Sequence, residues 1–383
     1  MDISRRNFLK LSCLSTIAFA TGLGFDTKIA DATQSEIFQR YSLGDMGNIQ
    51  DKPDDRDFST LAIFPHDTKL PSKVSWKDKV PMILDQGGYG ICVGAAGTAM
   101  KNIQETIQGD CPIHGFSPVY LYTLCKKLDG DKNNKNWGTY SRSAVKVLCS
   151  KGILPYVEIP TSYLKDNNRK LPTITNEQIK NATRNKCKSY ASVPIAIESL
   201  KKSLTHGAIL GSLNVYESFW EPEQGGYIRK PEGHFYGGHC ICITGFDDKM
   251  EYTYENGEKE VGFVEIVNSW SDNWGNNGFA YVPYSSLNKG YGLWYAFWST
   301  IDDTTQIRKL WRVQSGSFTN KEDAQIHQIA LKKKKLPTCL EYVDTFDGLE
   351  IRVQIRTYTS EKSCNDYSER LLEKGIENFV VYY

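Results

Sequence analysis

Apolar positions recur with a helical period in the first part of the chain and with strand-like runs in the second. Ala95, Ala96, Ala99, Met100, Ile103 and Ile107 fall on one helical face, and the glycine-rich turn holding Gly87, Gly88 and Gly90 precedes them. Ser117 and Pro118 supply a capping hydroxyl and a first-turn proline to a second helix running to Cys125, and residues 141–150 predict a third, ending at Gly152. Residues 197–206 read as a helix. Apolar strands are then predicted over 208–215, 237–246, 261–267 and 278–282. Helices early and strands late predict an α+β domain with a helical half and a β-barrel-like half. The polar, basic stretch 162–192 carries no period and is expected to be loop and crossover.

The pattern changes after residue 301. A polar linker, 302–310, is followed by strand, helix, strand, strand, helix, strand up to residue 382, a βαββαβ ferredoxin-like order. Arg312-Val313-Gln314 returns as Arg352-Val353-Gln354, each copy ahead of a helix, which implies two βαβ halves built alike. The expected divisions are 1–32, an irregular segment 33–69, a main domain 70–301, the linker, and a small domain 311–383.

Composition narrows the partners. Lysine and arginine total 46 against 45 acidic residues, so no charge excess points to nucleic acid. Ser4-Arg5-Arg6-Asn7-Phe8-Leu9-Lys10 resembles a twin-arginine export signal, and Ala30-Asp31-Ala32 supplies a small-x-small cleavage site. The mild apolar stretch 11–25 is shorter than the ~20 residues that span a bilayer, so membrane contact is expected only through the export signal. Export of a folded chain from a reducing cytosol predicts mostly free thiols among the ten cysteines. Residues 33–69 show no apolar periodicity and are expected to form a short arm packed on the main domain, with a cleavable peptide as the alternative.

Four residues carry the chemistry. Cys92 stands where the glycine turn enters its helix, and a helix N-terminus favours a thiolate. Gln86 lies six residues earlier, placed to join the Cys92 N–H in a two-donor oxyanion hole. His239 follows Gly237-Gly238 at the mouth of one strand, and Asn268 ends the next. Nucleophile, general base and orienter are the parts of thiol acyl transfer. His239-Cys240-x-Cys242 sits in an apolar run and is read as core; neither a metal nor an organic cofactor is expected.

From about Leu70 to Thr300 the chain resembles papain-type cysteine peptidases. Gln86, Cys92, His239 and Asn268 fall on that family's oxyanion, nucleophile, base and orienting positions. Trp270, Trp274 and Gly275 match its Asn-Ser-Trp signature, with Ser271 replacing the first glycine. Tyr89, Ile91 and Val93 stand where the family usually has cysteine, serine and tryptophan, which alters the wall beside the nucleophile. The resemblance implies a two-subdomain fold, a protein or peptide substrate, and a thiolate–imidazolium pair. Gly237, Gly238 and Trp270 are expected to touch substrate; the aromatic residues of 216–220 and 227–236 are read as loop packing, with a place along the cleft as the alternative. Residues 311–383 resemble SPOR domains through Arg312-Val313-Gln314-Ser315-Gly316-Ser317-Phe318. That implies binding to peptidoglycan glycan strands, with Gln314 and Gln354 bonding sugar hydroxyls and Tyr342 and Tyr358 stacking on rings. The expected activity is that of an exported cysteine endopeptidase held at the cell wall. The alternatives are a hydrolase or transpeptidase of peptidoglycan peptides, and a non-catalytic wall-binding protein.

Overall fold

The computed structural model describes residues 46–109, 111–302, 310–345 and 348–382; the export-signal reading of 1–32 lies outside them. The arm enters as a two-residue strand β1 (Asn48–Ile49), makes one turn of helix α1 (Thr60–Ile63), and joins the main domain at β2 (Lys73–Ser75).

The helical half follows. Helix α2 (Cys92–Gln108) is buried along most of its length and stops where Gly109 turns left-handed at φ 86°. Against it packs α3 (Pro118–Leu128), whose Ser117 cap accepts from Tyr120 N–H at 3.0 Å. A Cβ at Gly94 would fall 2.5 Å from the Pro118 carbonyl oxygen, so only glycine lets these two helices meet so closely. After β3 (Thr139–Tyr140) comes α4 (Ser141–Ser150). The stretch expected to be loop instead contains α5 (Ser162–Asp166), α6 (Asn176–Ala182) and β4 (Ser189–Ser192). Helix α6 begins with a capping box of Thr175 and Gln178, a local signal that operates without apolar periodicity.

The β half holds α7 (Ile197–Leu204), β5 (Ile209–Tyr216), α8 (Glu217–Trp220), β6 (Phe235–Thr253), β7 (Lys259–Val267), β8 (Phe279–Pro283) and β9 (Trp294–Ile301). Its strands run β4-β9-β5-β6-β7-β8, with β2 added to β6. Strand β9 had no counterpart in the sequence reading, yet it lies between β4 and β5. Helix α2 packs against β6, so the two halves meet where Cys92 and His239 lie.

The C-terminal module is an antiparallel sheet of β10 (Trp311–Phe318), β11 (Cys339–Thr345), β12 (Gly348–Tyr358) and β13 (Phe379–Tyr382), ordered β11-β12-β10-β13. Helices α9 (Lys321–Lys333) and α10 (Glu361–Leu372) bring Ala324, Leu331, Cys364 and Leu371 onto Val313, Val353 and Ile355. Alternation along β12 turns Gln354 to the opposite face, and α1 lies there.

That arrangement corrects the expected glycan contacts. Gln314, Gln354 and Tyr358 are 1%, 4% and 4% exposed. The Gln354 amide donates to the Ala62 carbonyl at 2.5 Å, and Tyr358 packs between His66 and Tyr367. The arm covers Gln354 and one side of Tyr358, which a reading of the module's own strands does not include. Tyr342 is open to solvent at 47%.

Candidate active site

Strand β6 carries His239 into the interface between the halves, and Asn268 follows β7 directly. Asn268 Oδ1 accepts the Ser269 N–H at 2.8 Å, which fixes the amide's orientation, because a flipped NH2 would face that donor. The same oxygen lies 2.8 Å from His239 Nε2, so Nε2 carries the proton and donates it. Nδ1 is thereby left as the lone-pair nitrogen, and it has no hydrogen-bond partner. Trp270 stacks on the imidazole with centroids 4.8 Å apart, and Phe219, Trp220 and Trp274 pack behind it.

Cys92 is the first residue of α2, and no side chain caps that helix end. Its free N–H groups are the orphans of the first turn. The backbone N–H groups of Cys240, Gly47, Val93 and Cys92 itself face the sulfur, so the residue next to His239 reaches the thiol. Gln86 is clamped: its N–H donates to the Ser269 carbonyl at 2.9 Å, and its Oε1 accepts from Ser269 Oγ at 2.6 Å. Its Nε2 spends one of its two hydrogens on the Tyr89 carbonyl at 2.9 Å. In enzyme freed of the arm, Gln86→Ala lowers kcat by roughly 10²–10³-fold, read by steady-state kinetics on a peptide substrate, with KM little changed.

The arm runs through this site. Thr139 N–H donates to the Gly47 carbonyl at 3.0 Å, and β1 pairs in parallel with β3. Asn48 Nδ2 donates to the His239 carbonyl at 3.1 Å. A Cβ at Gly237 would meet Met46 Cβ at 2.8 Å, and one at Gly238 would meet the Asn48 carbonyl oxygen at 2.3 Å. Those two glycines therefore lie directly against the arm.

Covering the cleft changes its electrostatics. Burial pushes the Cys92 thiol up to about 12, against the backbone N–H groups that favour the thiolate. Burial also lowers His239 to about 4, opposed by its bond to Asn268. Burial thus disfavours the charged form of both groups in this conformation, against the expected thiolate–imidazolium pair.

Other expectations are corrected by packing. Trp270 is 1% exposed and packs on the His239 ring within a buried aromatic cluster, with little surface left for a substrate. Phe219 and Trp220 join the same buried cluster, and Tyr227 stacks on Tyr252 at 3.8 Å, so neither aromatic stretch forms a cleft wall by these residues. His234 is exposed and edges onto Tyr236. The sequence reading missed Ser269 and Gly47. Ser269 was visible within Asn268-Ser269-Trp270, whereas an isolated glycine in a polar stretch gives no signal. All nine described cysteines are free. Among the described residues, no cluster of His, Cys, Asp and Glu is arranged to hold a metal ion, and no helix is long and apolar enough to cross a membrane.

Comparison with known proteins agrees with this geometry. The family profile "Papain family cysteine protease" matches residues 70–291. An uncharacterized peptidase C1-like protein of Acanthamoeba polyphaga mimivirus is 25% identical over 272 residues, covering 62% of this chain and 81% of its own length. Cysteine protease Amb a 11 of Ambrosia artemisiifolia is 25% identical over 285 residues, covering 69% of this chain and 65% of that protein. Xylellain, a cysteine protease from Xylella fastidiosa, has a crystal structure that superposes with a TM-score of 0.58 at 25% identity, covering 69% of this chain and 98% of its own. The ragweed protease in its proform shares the fold, with a TM-score of 0.52 at 21% identity over 78% of this chain and 87% of that one. With a cysteine at a helix N-terminus, an asparagine-held histidine across the cleft and a family match over residues 70–291, this chain belongs to the papain family of cysteine proteases.

Proposed function

We propose that the protein is an exported cysteine endopeptidase, held latent by its own arm, that cleaves peptide bonds through a thioester on Cys92. The observation that carries this reading is the His239 ring, with Nε2 held by Asn268 and Nδ1 bare. Once the arm leaves, water and substrate enter, the desolvation of both groups falls, and the Cys92 proton passes to His239 Nδ1. The thiolate sulfur attacks the carbonyl carbon, and the π pair moves onto oxygen, where the Cys92 N–H and Gln86 Nε2 receive it. As the oxyanion collapses, the C–N bond breaks and His239 Nδ1–H protonates the departing amine. Water, deprotonated by His239, then attacks the thioester, releasing the acid and restoring the thiol. Asn268 Oδ1 keeps the ring aligned throughout.

Export and a cell-wall destination rest on the twin-arginine resemblance of residues 4–10 and on the C-terminal module's resemblance to glycan-binding domains. Binding of glycan strands there would require the arm to leave the sheet face, or would use the open side near Tyr342. Arm-freed protein is incubated with casein and with purified sacculi. Cleavage of casein alone supports a general endopeptidase, and release of peptides from sacculi alone moves the reading to wall remodelling. Binding to sacculi with no cleavage of either substrate contradicts the enzyme reading.

Latency itself depends on pH. Asp57 pairs with Arg142 at 2.7 Å, yet burial raises its carboxyl to about 6. The docked carboxyl holds its proton more tightly than a free one near 3.8, so its contribution to docking is full below about pH 4 and is lost as pH rises through 6. Arm opening in wild type therefore increases over that window. Labelling of Cys92 by a pyridyl disulfide, taken as the ratio of wild type to Asp57→Asn so that the thiol's own titration cancels, is expected to rise from about one to at most roughly tenfold. A flat ratio contradicts the assignment.

A further inference from the structure

Between the cleft and β2, the arm is gripped by the C-terminal module. Ser59 N–H donates to the Thr338 carbonyl at 3.2 Å, and His66 N–H to the Thr357 carbonyl at 2.8 Å. The Ala62 carbonyl accepts from Gln354 Nε2 at 2.5 Å and from Thr357 Oγ1 at 2.9 Å. The Asp67 carboxylate accepts from the N–H groups of Thr359 and Ser360, at 2.7 and 3.0 Å, where the chain turns into α10. Lys332, at the end of α9, donates to the Asp57 carbonyl. A groove along the seam sets Asp54, Asp55 and Asp57 of the arm against Lys332, Lys335 and Arg356 of the module.

Backbone groups of the arm meet matched donors and acceptors on three separate elements of the module, and the buried Gln354 and Thr357 side chains spend donors on the arm. Such satisfaction marks a built interface. We propose that the C-terminal module is the receptor for the Asp57–Asp67 segment of the arm, and that this grip governs whether Gly47 stays over Cys92. With the grip intact, the tether to Gly47 starts at Ser59. Without it the arm keeps only the main domain's own hold, the Ser192 N–H and Oγ on the Phe58 carbonyl at 2.7 and 2.9 Å and Arg142 on Asp57. When those bonds open as well, the tether starts at β2 and is more than twice as long, and a doubled loop closes about threefold less often. Arm residues nearer the cleft also lose a fixed neighbour. Opposite charges along the seam make the grip weaken with salt.

The proposal rests on the latent-peptidase reading only through its choice of reporter, and the test reads access to a thiol instead of turnover. In the full chain, Thr357→Val with Asp67→Ala removes one donor to Ala62 and the carboxylate at α10. Hydrogen exchange follows residues 57–67, and mass spectrometry follows pyridyl disulfide labelling at Cys92. Loss of protection in 57–67 together with labelling about threefold faster or more is expected, with a further rise in high salt. Loss of that protection with wild-type labelling overturns the proposal. Should the double variant also unprotect β10 and β12, Asp67→Asn alone decides between the same two results. Inactivity toward casein would leave this readout intact.

Discussion

Gly47→Val opens the cleft, raising the rate of Cys92 alkylation, and of peptide cleavage, by roughly ten- to a hundredfold over wild type. A Cβ at this position would lie 2.2 Å from the Gly90 carbonyl oxygen, 2.4 Å from its carbon and 3.0 Å from the Cys92 sulfur. The first two are backbone atoms in the turn that leads into α2, so they do not yield as the tip of a flexible side chain would. Overpacking of this kind costs about 1–3 kcal/mol, and each 1.4 kcal/mol is tenfold in the population of the opened arm. The Thr139 N–H bond to the Gly47 carbonyl goes with the displaced strand. The catalytic domain is left unaltered, because residue 47 contributes no side chain to its core. Timed labelling with mass spectrometry of the Cys92 peptide, beside hydrolysis of a fluorogenic peptide, measures both effects.

His239→Ala has the larger effect on turnover, and Gly47→Val does not rescue it. Nδ1 is the one ring nitrogen left to move the proton, since Nε2 is committed to Asn268 at 2.8 Å. Loss of a general acid–base group costs about 10²–10⁴-fold, and the upper end applies where the same group also generates the nucleophile. In the Gly47→Val background, His239→Ala is therefore expected to lower kcat/KM by about 10⁴-fold. It also shifts the alkylation profile toward that of an ordinary thiol near 8.5. Asn268→Ala in the same background keeps the imidazole but frees its tautomer, so it retains more activity than His239→Ala. Equal losses in the two would contradict the positioning role of Asn268.

Much of the site was legible because its chemistry sits at ends of periodic elements. Cys92 begins an apolar helix, His239 follows two glycines, and Asn268 ends an apolar strand, so sequence position already implied their meeting. A short arm packed on the main domain was expected, but its seat over Cys92 and on the small module was illegible for the converse reason. Its hold depends on carbonyls, single polar side chains and one glycine, none of which leaves a period. The SPOR resemblance put Gln354 on the sheet face away from the helices, but such a resemblance does not tell solvent from another segment of the chain. Tyr358 was misjudged because its face depends on the irregular pairing of β10 with β12. Short helices such as α6 were announced by their caps alone, and a reading led by hydrophobic period passed over them.

The most direct test measures alkylation of Cys92 from pH 4 to 10 in wild type, Gly47→Val and Gly47→Val/His239→Ala. The structure predicts slow labelling of wild type across the range, because the thiol is covered and neutral. Gly47→Val is predicted to label rapidly, well below pH 8.5, and the added His239→Ala to remove that acid-side reactivity. Wild type labelling as fast as Gly47→Val would contradict the covering arm, and acid-side reactivity surviving without His239 would contradict the catalytic pair.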